Sequence, residues 1–252
     1  MVNRRTLLLA LALATTAASS SALTGTDTAP TKTAGGSKPH RAVIVFGGSG
    51  QLGSEIVRAL LAAGHDITVF IRPTSDRGRI AGLPISLVEG DVTVEADVER
   101  ALKARRYDVA VDALGRSGAD VSFFAVTGPN IARQAKAHGV RQLILHSSVG
   151  VGRSAAVYPA DRLVAQRRLF EAKQAGEDAV MASGVTWTII RNAVLRDPPP
   201  DAPEQARLVA DELAWGTVSR RGLARLTLGC IDEPACGDRI FHAIDDSLPA
   251  LR

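Results

Sequence analysis

From residue 40 onward the chain alternates short apolar runs with amphipathic segments of helical length. Val43-Ile44-Val45-Phe46, Ile67-Thr68-Val69-Phe70-Ile71 and Pro84-Ile85-Ser86-Leu87-Val88 are the first such runs. Val109-Ala110-Val111-Asp112-Ala113-Leu114, Leu143-Ile144-Leu145 and Thr186-Trp187-Thr188-Ile189-Ile190 follow. Their β-branched, apolar character and their glycine, proline or polar boundaries predict strands. Between them, Glu55 to Ala63, Glu95 to Ala104, Phe123 to His138 and Arg162 to Ala182 have helical length, and Gly64, Gly139 and Gly184 close three of the four. Strands that are apolar on both faces and alternate with helices predict an α/β fold with a parallel sheet covered on both sides. Ligands of such sheets bind beyond the carboxyl ends of the strands, so the residues that follow each run are the candidate site.

The first 39 residues do not share this pattern. Asn3-Arg4-Arg5-Thr6 precedes the apolar stretch Leu7 to Ala14 and the small-residue run Thr15 to Ala22. That is the layout of a secretory signal over residues 1–22, too short for a membrane span. The Arg4-Arg5 pair resembles a twin-arginine signal, although the usual basic residue does not follow Leu7 and Leu8. Residues 23–39, rich in Thr, Ala, Gly, Ser and Lys, read as a flexible linker. The expected organisation is a signal over 1–22, a linker over 23–39 and one folded domain over 40–252. It implies export to the periplasm or beyond, in folded form if the twin-arginine resemblance holds. The alternative is a cytoplasmic protein with a misassigned start or a retained anchor.

Composition narrows the classes. A chain of 252 residues that is 46% hydrophobic suits one domain with a full core. Net charge is +4, but the basic residues are scattered and aromatics make up only 4%, so no stacking platform for nucleic acid is expected. The only cysteines, Cys230 and Cys236, are too few for a disulfide scaffold and lack companion histidines at ligand spacing, so no metal site is expected. Whether the two pair stays open.

The strongest chemical signal is Val43-Ile44-Val45-Phe46-Gly47-Gly48-Ser49-Gly50-Gln51-Leu52-Gly53. An apolar strand breaks into glycines and restarts as a helix whose bare N–H groups face an anion. The first glycine supplies a turn conformation, the second lets a pyrophosphate touch the main chain, and the third permits close helix–strand packing. Gly47, Ser49, Gly50, Gln51, Leu52 and Gly53 therefore read as the cradle of a dinucleotide, and the fold as a Rossmann-type doubly wound sheet with a short C-terminal region on the substrate side. Arg72, at the end of the second strand, stands where a carboxylate would bind a ribose 2′-OH and an arginine a 2′-phosphate, and Arg77 and Arg79 follow. NADP is expected over NAD.

The glycine spacing, the step Glu89-Gly90-Asp91-Val92 and the block Lys173, Glu177, Ser183 to Arg191 together resemble the atypical short-chain dehydrogenases/reductases, specifically the NmrA-like NAD(P)-binding proteins. The resemblance runs from Arg41 to Asp245. It implies that Asp91 and Val92 flank the adenine, that Ala113, Leu114 and Gly115 lie under the middle of the cofactor, and that Lys173 bonds its ribose. It makes Ser148 the family serine, with Ser147 the register alternative. Typical members of the wider superfamily carry a tyrosine four residues before the lysine to donate a proton; here that position is Leu169, which cannot. Tyr158 is either a displaced donor or a loop residue before a helix begun by Pro159-Ala160-Asp161. His146 reads as a strand-end histidine satisfied by its neighbours. Asn192 departs from the family's usual proline, yet the resemblance implies that it borders nicotinamide and substrate, and the stiff Asp197-Pro198-Pro199-Pro200-Asp201 loop is a candidate pocket wall. Two functions follow: hydride transfer from NADPH to a small electrophile such as a quinone, activated alkene or carbonyl, or an NADP-holding sensor with little turnover. The partner in either case is a small molecule, with no stable membrane insertion, and oligomeric state is not addressed by the sequence.

Overall fold

The computed structural model describes residues 39–115 and 120–249. The signal expected over 1–22, and the linker up to residue 38, lie outside the described residues. Elements follow in chain order: β1 (Ala42–Phe46), α1 (Gln51–Ala62), β2 (Asp66–Ile71), β3 (Ser86–Glu89), α2 (Glu95–Lys103), β4 (Val109–Asp112), α3 (Phe123–Ala137), β5 (Gln142–Ser148), α4 (Ala160–Met181) and β6 (Thr186–Asn192). Then come β7 (Val194–Leu195), β8 (Ala206–Val209), β9 (Thr217–Val218), α5 (Arg220–Cys230) and β10 (Arg239–Asp245). The main sheet has the order β3-β2-β1-β4-β5-β6-β10-β8 and is parallel except for β8, which runs antiparallel to β10; β7 and β9 form a separate parallel pair. The chain therefore reverses its direction across the sheet between β1 and β4, and a crevice opens at the carboxyl ends of these two strands.

Strand pleat explains the two cores. Val43 and Val45 of β1 face a cluster with Ile56, Val57 and Leu60 of α1 and Leu223 of α5, while Ile44 and Phe46 face Val98 and Leu102 of α2, Ile131 of α3 and Val180 of α4. Adjacent residues of one strand thus serve opposite layers, which is why β1 has no polar position. β4 is shorter than the expected Val109 to Leu114 run. Asp112 Oδ1 accepts the Leu114 N–H at 3.0 Å, a local bond that draws the backbone out of the strand. α4 begins after Pro159, as the sequence predicts.

The C-terminal region does more than border the substrate side: it supplies β8 and β10 to the main sheet and α5 to its α1 face, and Arg220 at the start of α5 lines the crevice. Cys230 and Cys236 are joined in a disulfide between the end of α5 and the approach to β10, a pairing that the sequence left open.

One ionic cluster ties this region to the rest. The Arg191 guanidinium of β6 donates to Glu177 of α4 at 2.8 and 3.2 Å and to Glu212 at 2.6 Å. The Arg191 and Glu177 side chains are 2% and 0% exposed. Desolvating such a pair is costly, and removing one partner strands the other charge, a loss of about 3–5 kcal/mol. Glu177→Ala is expected to lower the unfolding free energy by that amount in a urea titration. A loss below about 1 kcal/mol, the scale of an exposed pair, would show that Glu212 alone satisfies Arg191.

Candidate cofactor cleft

The crevice is a cleft of about 630 Å³. Its floor is the turn after β1, with Gly47, Ser49, Gly50, Gln51 and Leu52 in the wall. Gly47 has φ +79°, and a Cβ there would lie 2.7 Å from the Ala113 carbonyl oxygen. Gly53 does not reach the cleft; a Cβ on it would lie 2.1 Å from the Gly47 oxygen, so its absence lets α1 close on the turn. Gly50, the N-cap of α1, has only the Gly47 oxygen near its missing Cβ, at 3.2 Å. With no side-chain cap and no acidic residue in the first turn, the α1 N–H groups remain available to an anion. The cradle fits a pyrophosphate on these grounds.

At one end the cleft is lined by Phe70, Ile71, Arg72, Ser75 and Val92. Of the three arginines after β2, Arg77 is paired with Glu89 and Arg79 lies 3.9 Å from Asp76. Arg72 is exposed and has no carboxylate partner among the described residues. Asp91, expected beside the adenine with Val92, is not in the lining; its Oδ1 accepts from the Thr93 N–H and hydroxyl at 2.9 and 2.7 Å, shaping the entry to α2. Ala113, Leu114 and Gly115, which follow β4 between the two ends, also line the cleft.

The other end gathers His146, Ser147, Ser148, Lys173, Asn192, Ala193, Leu195 and Arg220. Both serine registers therefore reach the cleft. The Asp197-to-Asp201 loop, expected as a pocket wall, is not in the lining: Asp197 pairs with Arg220 at the start of α5, and the wall after β6 is Ala193 and Leu195 beside Asn192. Of the two alternatives for Tyr158, a displaced donor or a loop residue before α4, its surroundings match the second. Its ring stacks edge-on against Phe170 and Trp215 at 4.9 and 5.3 Å, and it is absent from the lining, as is Leu169. Tyr107, the chain's other tyrosine, is buried away from the cleft.

Two residues gain meaning only in three dimensions. Asp112, inside an apolar run, and Lys173, half-buried on α4, share with Ser147 a side cavity of about 10 Å³, room for about one water. Ser147 Oγ is buried without a partner among the described residues. Lys173 Nζ sits 4.3 Å from the Phe124 ring centroid. Burial pushes the Asp112 carboxyl up to about 6, against the Leu114 N–H and the Lys173 charge, which pull it down. Burial likewise lowers Lys173, opposed by Asp112 and Glu177. Ser75, Arg220 and Asp112 are among the cleft-side residues that sequence reasoning missed; the signal for Asp112 was one carboxylate in a strand with no other polar position.

Residues 47–234 match the NAD(P)H-binding family. A 112-residue stretch is 33% identical to sterol demethylase protein B of Methylococcus capsulatus, over 42% of this chain; the chain spans about a third of that relative's length. Among solved structures, ChuY of Escherichia coli O157:H7, described as an anaerobillin reductase, superposes with a TM-score of 0.72 over 83% of this chain and 100% of its own, at 20% identity. A wide-type short-chain dehydrogenase/reductase of Veillonella parvula in complex with NADP gives 0.65 over 84% and 100%, at 16% identity. WbmH of Bordetella bronchiseptica in complex with NAD+ gives 0.65 over 83% and 77%, at 20% identity. These structures share the fold, and their ligands include both nucleotides.

A raised carboxyl pKa means that the fold disfavours the charged form. The penalty from Asp112 is thus full above pH 6 and gone below 3.8, its ordinary value. Asp112→Asn keeps an acceptor for Leu114 and is expected to stabilise the protein by up to about 3 kcal/mol at pH 7, converting the shift at 1.36 kcal/mol per unit. The gain should vanish toward pH 4 in urea titrations of both proteins. A gain that persists at pH 4 would place its origin elsewhere.

Proposed function

The chain belongs to the NAD(P)H-binding family, and on that premise we propose that it is an NADP(H)-dependent reductase acting on a small electrophile, a quinone, activated alkene or carbonyl. The observation that carries the nucleotide choice is Arg72, a guanidinium at the end of β2 that lines the cleft while its neighbours Arg77 and Arg79 are engaged elsewhere. A planar, bidentate donor without a carboxylate partner suits a 2′-phosphate.

In this reading Gly47, Ser49, Gly50, Gln51 and Leu52 hold the pyrophosphate, and Arg72 and Ser75 hold the ribose phosphate. Val92 contacts the adenine, and Lys173 holds the nicotinamide ribose. The reduced nicotinamide, when bound, supplies a hydride. Ser147 and Ser148 orient the acceptor oxygen by hydrogen bonding. With neither tyrosine in the lining, the accompanying proton comes from water, a route open to quinones and activated alkenes. The same lack of a tyrosine supports a second reading, an NADP-binding protein with little turnover.

Titration calorimetry of the full domain should give tighter binding of NADPH than of NADH. Arg72→Ala should remove about 1–3 kcal/mol of that preference, the scale of a hydrogen bond to a charged group. Equal affinity for the two nucleotides in the unaltered protein would overturn the NADP reading. Steady-state NADPH oxidation with a panel of quinones, enones and aldehydes then separates the two functions: turnover supports the reductase, and tight binding without turnover the sensor.

We also propose that the protein works outside the cytoplasm. The arrangement of residues 1–22 supports this, and so does the Cys230–Cys236 disulfide, since such bonds persist in oxidising compartments and are rare in the cytosol. Among the described residues no helix is long and apolar enough to cross a membrane. A twin-arginine route would carry the domain across already folded and loaded with nucleotide. Alkylation of denatured protein taken directly from cells should find both cysteines blocked, and replacing Arg4 and Arg5 with lysine should leave the protein in the cytoplasm. Two reactive thiols in the native protein, together with an intact N-terminus, would remove the export proposal.

A further inference from the structure

His146, on β5 at the deep end of the cleft, is 4% exposed and lies between two polar partners. Its Nε2 is 2.9 Å from Thr227 Oγ1 of α5, and its Nδ1 is 3.1 Å from the side-chain amide of Asn192. Thr227 Oγ1 in turn lies 2.7 Å from the Leu223 carbonyl oxygen. A carbonyl has no proton to give, so at that distance the threonine hydroxyl donates to it. Thr227 Oγ1 is then left as an acceptor toward the histidine, and Nε2 must carry a proton.

The rest depends on whether the ring holds one proton or two. Among the described residues no carboxylate lies within ion-pair distance of His146, and burial, aided by the nearby Lys173 charge, brings its pKa down to about 4. The ring is neutral at ordinary pH, with its only proton on Nε2 and a bare lone pair at Nδ1. That lone pair needs a donor. Asn192 meets it through Oδ1 or, after a half-turn of its amide, through Nδ2; the first would set two acceptors against each other, so the neutral ring selects the second.

We infer that Leu223, Thr227 and His146 form a one-way hydrogen-bond chain that fixes the Asn192 amide with Oδ1 toward the cleft, as an obligate acceptor for the carboxamide NH₂ of nicotinamide. Asn192 has no other side-chain hydrogen bond among the described residues, and it lines the cleft beside Ser148 and Lys173. His146 and Thr227 are positioning residues in this scheme; neither needs to touch the ligand. The chain spans β5, β6 and α5, so the acceptor is set by elements far apart in sequence. The inference rests on the proposed nucleotide site.

Two measurements test it. A long-range ¹H–¹⁵N correlation spectrum of the protein near pH 7 should place the His146 proton on Nε2, with no ligand required; a proton on Nδ1 would overturn the chain. Titration calorimetry should then show NADP⁺ binding about tenfold tighter than its 3-acetylpyridine analogue, which keeps the ring carbonyl but replaces the NH₂ with a methyl group and strands the Asn192 acceptor. In Asn192→Ala and in Thr227→Val, which frees the histidine proton, that ratio should fall toward one. Equal binding of the two nucleotides by the unaltered protein would overturn the inference. Absence of NADP⁺ binding would instead overturn the nucleotide reading, with the spectrum still deciding the direction of the chain.

Discussion

The buried guanidinium of Arg191 is the constraint on which the rest of the cleft depends. Through Glu177 it fixes α4, and Lys173 stands on the same face of that helix one turn earlier. Through its own backbone it fixes the end of β6, where Asn192 is the next residue. Through Glu212 it holds the segment between β8 and β9. A hydrophobic contact could bring the same elements together with less desolvation cost, but would tolerate sliding. Bidentate pairing tolerates little, because both N–H···O bonds need the same plane.

The two ends of the cleft are built on different principles. Around the glycine turn, recognition is by backbone: side chains are removed so that N–H groups and a helix terminus face the anion. At the β5–β6 end it is by side chain, with a lysine, a buried carboxyl, two hydroxyls and an amide brought into one low-dielectric space. Asp112 and Lys173 each shift toward the neutral form because burial outweighs their mutual attraction. The backbone end can therefore be rigid and general, while the side-chain end is sensitive to pH and to single substitutions.

That division also sets how much was legible in the sequence. The glycine cradle, Arg72 and the strands β1 to β6 are local in character, encoded by apolar runs and by residues within a turn of each other. Ser148, Lys173 and Asn192 were placed at the cleft by their position in a resembling motif, and the structure gathers them there. What was missed is non-local. β10 reads Arg239-Ile240-Phe241-His242-Ala243-Ile244-Asp245, with a charge at each end and a histidine inside, and it pairs with β6 some fifty residues earlier. Tyr158 looked available because nothing in its neighbourhood announces Trp215, a ring 57 positions away that pairs with it edge-on. Asp91 was assigned to the adenine by the resemblance, yet its Oδ1 accepts from the Thr93 N–H and hydroxyl.

The placement of α5 and β10 bears on when the protein can mature during synthesis. α1, the helix whose N-terminus forms the cradle, packs against α5, and β6 lies beside β10. A ribosome that has made the first two hundred residues has therefore produced every glycine of the cradle, but neither the cover of its helix nor the neighbour of its sixth strand. Until the last fifty emerge, α1 presents Ile56 and Leu60 without the Leu223 layer, and β6 is an open edge inviting wrong partners. An early-encoded cradle thus gains the cover of its helix, and the sixth strand its neighbour, only when α5 and β10 have been made.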